Sequence, residues 1–246
     1  MYERGELVGI VSELNRYPVK SMQGESLQVA PLTLKGIEGD RQHAFVKTAV
    51  STDGFPWLTA RDYPEMVLFR PTYNLDIKAT QVVLPDGRTL RLESKELCQI
   101  LQEGATRSPK IHLMKLKRGA YDGFPVSLMG VQTIRAVSSR SSVEEDSRRY
   151  RPNVVVETII QKEGAEDTWL GGVVTFGERE DSPQILIVQL DPRCMMINID
   201  PKTGKQTPSV LGDVVRNRRK EMGVYANVVK AGEMRVGEPI YLLRPR

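Results

Sequence analysis

Residues 190–204 read LDPRCMMINIDPKTG, after the apolar run QILIVQL at 184–190. A short run of Ile, Leu and Val that meets Asp-Pro and then a turn is the pattern of a β-strand. Asp200-Pro-Lys-Thr-Gly204 supplies the turn. Between them sits Cys194. In a regular strand, Cys194, Met196 and Asn198 share one face, and Arg193, Met195 and Ile197 share the other, but Pro192 and the nearby turn make irregular backbone the expectation here. Cys194 can then be a small core residue, or a ligand or nucleophile held at a strand end. Both readings stay open on these residues alone.

Working outward, most of the chain repeats this pattern of short strands between breakers. LVGIVSELNRYPV (7–19), SLQVAPLTL (26–34), HAFVK (43–47) and KIHLMKLK (110–117) are rich in Val, Leu and Ile. QVVLPDGRTLRL (81–92) is a hairpin with Pro-Asp-Gly at its turn. RPNVVVE (151–157), DTWLGGVVTF (167–176), VYANVVKA (224–231) and EPIYLL (238–243) continue the series. Helices are few. One is expected near 94–104, capped by Ser94, a second near 130–138, and a third over 209–222. The third carries Arg216, Arg218, Arg219 and Lys220 mostly outward. The loop SSRSSVEEDSRRY (138–150) is charged with both signs and expected to be exposed. Many short strands with few helices indicate barrels or a sandwich. A boundary is expected near 115–120, at the KRGAYDG connector, which gives units 1–117 and 118–246.

The 246 residues can bury a sizeable core, and 27% charged residues with no long apolar run exclude a membrane-spanning helix. The start, MYERGELVGIV, lacks the basic and apolar stretches of a signal peptide, so a cytoplasmic protein is expected. Two cysteines cannot build a four-cysteine iron–sulfur cluster. Only two histidines leave a zinc site poorly supplied. A net charge of +4 suits an anionic ligand without demanding nucleic acid. Aromatics at 6% are too sparse for a base-stacking platform.

Three basic stretches could hold an anion. In YPVKSMQG (17–24), Lys20 offers charge and Ser21 a directional hydrogen bond; the plain alternative is an exposed loop lysine. In KGIEGDRQHAF (35–45), Arg41 could fork onto an oxyanion, or simply pair with Asp40 in a turn. Arg151 precedes Pro152, which is expected to hold it extended; the plain alternative is a surface arginine. Cys98, beside the inward face of its helix, reads as a small core residue. His43 and His112 lack metal-ligand spacing and read as structural.

Taken in order, YPVKSM, GDR, LTAR (58–61), RPN followed by Val-Val-Val, Arg-Cys running on to IDPKTG, and VGEPIYLL resemble the MOSC-domain proteins that carry an N-terminal MOSC barrel. These include the amidoxime-reducing component and YcbX-like proteins. The resemblance spans nearly the whole chain. It implies a mainly β fold of two β-barrel-like domains with a few short helices: an N-terminal MOSC barrel over 1–117 and a pyruvate-kinase-type MOSC β-barrel over 118–246. It also implies the molybdenum cofactor (molybdopterin). By resemblance Cys194 matches the molybdenum ligand and catalytic cysteine. Lys20, Ser21 and Arg41 match positions that grip the phosphate and pterin side, and Arg151 and Tyr225 match further cofactor contacts.

The implied activity is reduction of small N-hydroxylated substrates, with a carrier of cofactor or sulfur as the alternative. The chain departs from the family at Pro192, where relatives often have a serine, and at Asp122-Gly-Phe, where they commonly place small hydroxyl residues. No Gly-x-Gly-x-x-Gly fingerprint follows a strand. Electrons are therefore expected from a separate partner such as a ferredoxin or flavoprotein, with no nucleic acid and no membrane involved.

Overall fold

The computed structural model describes residues 5–48, 56–105 and 110–244. The first half contains β1 (Glu6–Arg16), β2 (Glu25–Leu27), β3 (Val29–Thr33), β4 (Gly36–Ile37), β5 (His43–Lys47), β6 (Arg70–Asn74), β7 (Ala79–Val83), β8 (Thr89–Arg91), helix α1 (Lys95–Gly104) and β9 (Ile111–Lys115). The second half contains β10 (Val126–Gly130), α2 (Val131–Arg140), β11 (Val154–Thr158), β12 (Val173–Phe176), β13 (Gln184–Pro192), α3 (Ser209–Arg218), β14 (Glu221–Lys230), β15 (Gly232–Arg235) and β16 (Pro239–Leu243).

The fold is mainly β. Seven strands close a barrel in the order β1, β11, β10, β14, β13, β12, β16 and back to β1. Closure leaves no free sheet edge among them. Every barrel pair is antiparallel except β10 with β11, and α2 supplies the crossover that a parallel pair requires. Inward residues such as Val11, Leu14, Val154, Val156, Ile185 and Ile187 fill the barrel as one apolar cluster. β1 belongs to the N-terminal half of the chain but completes this barrel, and β15 pairs with β3, so the two halves interlock.

A second lobe holds the β5–β9 pair, the β6–β7–β8 meander and α1 around Phe45, Leu58, Phe69, Leu84 and Leu97. Two local expectations hold here. The Ser94 hydroxyl caps α1 by accepting the Leu97 N–H, and Pro85-Asp-Gly turns the β7–β8 hairpin. A third cluster packs Ile134 and Val137 of α2 and Val210 and Val214 of α3 together with Val155. Among the described residues, no helix is long and apolar enough to cross a membrane.

Three expectations are corrected. Helix α3 stops at Arg218, because Arg219 and Lys220 both take left-handed backbone (φ 54° and 74°) and turn the chain into β14. Arg218 points inward to Asp167 and Glu163 rather than to solvent. The stretch 138–150 is not an exposed loop: Ser141, Ser147, Arg149 and Tyr150 are buried, with Arg149 paired to Asp200 at 2.7 Å. The irregular backbone expected after Pro192 is present: β13 ends at Pro192, and Met195–Asn198 form a 3-10 turn, so strand alternation stops applying there.

The end of β13 is shaped by a register shift. Leu190 pairs with Val224 but Pro192 pairs with Glu221, so Asp191 falls in a bulge opposite Met222 and Gly223. Gly223 has φ 80°, and a Cβ there would lie 2.7 Å from the Leu128 carbonyl oxygen. Gly87 also has positive φ, but open space around it. Gly87→Ala is therefore expected to cost about 1 kcal/mol, and Gly223→Ala about 3 kcal/mol, by urea denaturation. Equal losses would show that the bulge does not depend on the close approach of the two backbones.

Candidate functional site

β1 leaves the barrel at Arg16, and the next residue, Tyr17, is fully buried between barrel and second lobe. Its N–H donates to Asp40 Oδ1 at 2.7 Å, and its hydroxyl donates to the Pro152 carbonyl at 3.1 Å. Two guanidiniums stack on its ring, Arg41 at 4.7 Å and Arg151 at 4.3 Å from the centroid. The negative face of the ring favours both cations. Burial pushes the Tyr17 phenol well above its ordinary pKa, against the pull of the two arginines.

Around this ring the backbone is strained. Ser21, Arg41 and Arg151 all have left-handed φ (66°, 48° and 59°), unusual for residues with side chains. Ser21 sits third in a turn closed by Met22 N–H to Val19 C=O, where glycine would be the easy choice. Arg151 is not extended before Pro152 as the sequence predicts. Its N–H closes back on Ser147 C=O, ending the short turn at Ser147–Arg149, and this swings the side chain over Tyr17. Such strain clusters at functional sites, where the surroundings enforce it.

These three residues line one cavity of about 310 Å³ together with Lys20, Cys194 and Tyr225. All six residues singled out in the sequence are thus brought together, from segments more than 200 residues apart. Lys20 is not an exposed loop lysine. It is buried, its N–H donates to the His43 carbonyl, and its ammonium meets the Ala120 carbonyl and Asp122. Burial lowers its pKa, and Asp122 opposes that shift.

The cations differ in how they are balanced. Arg41 pairs with buried Asp40 at 2.6 Å and also donates to Asn153 and the Arg151 carbonyl. Burial works against its charge, but Asp40 outweighs burial and its pKa rises. Arg151 donates to the Met22 carbonyl at 2.6 Å and, among the described residues, has no carboxylate partner. Burial and the neighbouring Arg41 charge bring its pKa down to about 10. An anion placed beside Arg151 would supply the missing counterion.

Cys194 opens the 3-10 turn and is exposed at the cavity. Its neighbours are fixed from both sides. Met196 packs on the second-lobe core, while Ile197 lies in the cluster of α2 and α3. Before it, Arg193 is buried, pairs with Asp191, donates to the Tyr150 carbonyl at 2.5 Å, and its N–H donates to the Lys220 carbonyl. The thiol therefore stands on a rigid backbone while remaining open. Cys98, by contrast, packs against the second-lobe core. Tyr225 tilts against Phe124 (centroids 5.9 Å apart), and burial pushes its phenol pKa up.

Several lining residues carried no assigned role in the sequence: Thr59 and Arg61 in the LTAR stretch, Asp122, Arg149, Asp191 and Arg193. Arg193 was visible beside Cys194, and LTAR as a motif. The bulge that buries Asp191, by contrast, has only Gly223 as its sequence signal. Asp191 Oδ1 and Arg193 Nε are both buried without a hydrogen-bond partner. Among the described residues, no group of three His, Cys, Asp or Glu side chains could hold a metal ion. Cys194 is the one thiol among the residues that line the cavity.

Two families match the chain, the MOSC N-terminal beta barrel domain over residues 8–127 and the MOSC domain over residues 115–241. Similar proteins include the mitochondrial amidoxime reducing component 2 of Bos taurus and that of Homo sapiens. Each is 26% identical, over 97% of this chain and 84% of the relative. Among solved structures, the YUAD protein from Bacillus subtilis matches with a TM-score of 0.54 at 12% identity, covering 100% of both chains, a likeness of fold.

The unequal balance of the two arginines has a measurable consequence. Arg41→Met strands the buried Asp40 carboxylate and is expected to cost about 3 kcal/mol or more. Arg151→Met strands no carboxylate and removes a desolvated charge, so its cost should be below about 1 kcal/mol, or the change should stabilise. Urea denaturation of the two variants checks this, and a larger loss for Arg151→Met would contradict it.

Proposed function

The chain belongs to the MOSC-domain family, with an N-terminal MOSC barrel, and from that premise we propose a molybdenum-cofactor-dependent oxidoreductase that reduces N-hydroxylated compounds. The observation that carries the proposal is a single cavity that holds both an exposed thiol, Cys194, and a guanidinium, Arg151, that has no carboxylate partner among the described residues. The resemblance implies a cofactor with a terminal phosphate and a metal that takes a protein thiolate. The residues present fit both ends of it.

Cys194 is the metal ligand in this proposal, since a thiolate is a soft donor suited to such a metal. Arg151, Ser21 and Lys20 bind the phosphate, and Arg41 orients the pterin side while holding Arg151 through its carbonyl. Tyr225 is a further cofactor contact in this proposal, and with Phe124 it forms a less polar wall of the cavity. When bound, the cofactor supplies a two-electron centre that can take an oxygen atom. Reduction of an N-hydroxyl group to N–H and water consumes two electrons and two protons. The names of the two mammalian relatives describe the reduction of amidoximes, which carry this group.

The electrons come from a separate ferredoxin or flavoprotein. Exposed Arg216, Arg219 and Lys220 offer a basic corner, and Lys220 lies against Arg193, next to the thiol. Docking of an acidic donor there would be weak and salt-sensitive. The exposure of Cys194 also favours a second reading, in which the chain hands on cofactor or sulfur without turnover.

The test is a turnover assay with cofactor-loaded protein and an aromatic amidoxime. Turnover is expected with a chemical reductant and not with NADH alone. Cys194→Ser should keep its melting temperature, because the thiol is exposed, and lose at least about tenfold in activity per bound molybdenum. Turnover with NADH alone would contradict the separate donor. Equal activity in Cys194→Ser would contradict the ligand. A loaded wild type that never turns over would favour the carrier.

A further inference from the structure

Lys20 is assigned above to a phosphate, yet its ammonium already faces a carboxylate. Asp122 Oδ1 lies 2.6 Å away and the Ala120 carbonyl 2.9 Å away. Lys20, Arg41 and Arg151, three of the cations that line the cavity, are balanced in three different ways. Asp40 is fixed to Arg41: its side chain is fully buried and it also accepts the Tyr17 N–H. Arg151 has no carboxylate among the described residues. Asp122 is intermediate. Its side chain is 67% exposed, whereas that of Lys20 is only 7% exposed. It also sits in the connector between β9 and β10, outside any regular element.

We infer that Asp122 is a resident counterion occupying the place of an incoming phosphate group, and that it must swing into solvent before an anion reaches Lys20. The inference rests on the anion-binding assignment of the cavity. A buried ammonium without a partner is costly, so a carboxylate beside it stabilises the ligand-free protein. The same carboxylate repels an arriving anion at close range. The gain at Lys20 is then the difference between phosphate and Asp122, not the whole of the phosphate contact. Phosphate can still displace it, because its several oxygens can be shared by Lys20, Ser21 and Arg151, whereas Asp122 reaches Lys20 alone among them. Exposure makes the exchange easy: Asp122 can be rehydrated without opening the core. Asp40 could not do the same for Arg41, since it is held by the Tyr17 backbone.

The experiment is a titration of inorganic phosphate at low ionic strength, followed by calorimetry, on the full chain and two variants. Asp122→Asn keeps an acceptor for Lys20 but removes the charge, and Arg151→Met removes the uncompensated cation. Asp122→Asn is expected to bind phosphate on the order of fivefold more tightly than wild type, the scale of a partly exposed ion pair. Arg151→Met is expected to lose binding. If Asp122→Asn binds phosphate no better than wild type while Arg151→Met still loses it, the competitor role is wrong and the anion site stands. If all three proteins bind alike, or none binds, the anion site itself is overturned. Melting curves of the variants without phosphate show whether each is folded, and Asp122→Asn, which leaves Lys20 a neutral acceptor in place of its counterion, should melt cooperatively but below wild type.

Discussion

The ring of Tyr17 is the point on which both lobes and the cavity depend. Its backbone N–H binds Asp40, its hydroxyl binds the carbonyl of Pro152, and its face carries Arg41 and Arg151. One side chain thereby fixes the end of β1, the turn before β5 and the approach to β11. The constraint is electrostatic as much as steric. Two guanidiniums close enough to share one ring repel each other, and among the described residues only Arg41 has a carboxylate partner. The ring and Asp40 make that arrangement tolerable in the ligand-free protein. An anion in the cavity would complete it.

Left-handed backbone at Ser21, Arg41 and Arg151 belongs to the same arrangement. Relaxing any of the three would turn a lining residue away from the cavity. The strain is held by packing on both sides, with Arg16 paired to Glu25 and stacked on Tyr73, and Arg149 paired to Asp200. Cys194 is treated differently. It is held by its neighbours, Arg193 behind and Met196 and Ile197 ahead, so that the thiol can face the cavity without being packed. A rigid support under an accessible side chain is what a functional site requires.

Much of this was legible in the sequence where the signal is local. Alternating Val, Ile and Leu marked the strands, Ser94 marked the start of α1, and Pro85-Asp-Gly marked a hairpin. Lys20, Ser21, Arg41, Arg151 and Cys194 stand out by residue type with plain alternatives open; the family resemblance gives them their roles and is the sole source of Tyr225. What could not be read was tertiary in origin. Arg151 departs from the extended backbone that Pro152 favours because Ser147 and Tyr17 capture it. Arg149 and Arg218 look like surface arginines in a charged stretch, but acidic partners from distant segments, Asp200 and Asp167, draw them inward. Asp191 is buried by a strand bulge whose only local mark is Gly223. Asp122 stands in the sequence as a departure from the family within a connector, and nothing local points to its pairing with Lys20, 102 positions earlier.

The central claim is that Cys194 and the arginine cavity hold one molybdenum cofactor between the lobes. The most direct test is the molybdenum content of protein made in a host that produces the cofactor, determined by elemental analysis. It is compared for wild type, Cys194→Ser and Arg151→Met, with melting curves to show that each is folded. Wild type should carry molybdenum in near-equal amount to the chain, and Arg151→Met should retain far less. Cys194→Ser should lose the sulfur ligand in the metal's X-ray absorption. Folded wild-type protein that emerges from such a host without molybdenum, or variants that retain it unchanged, would contradict the account.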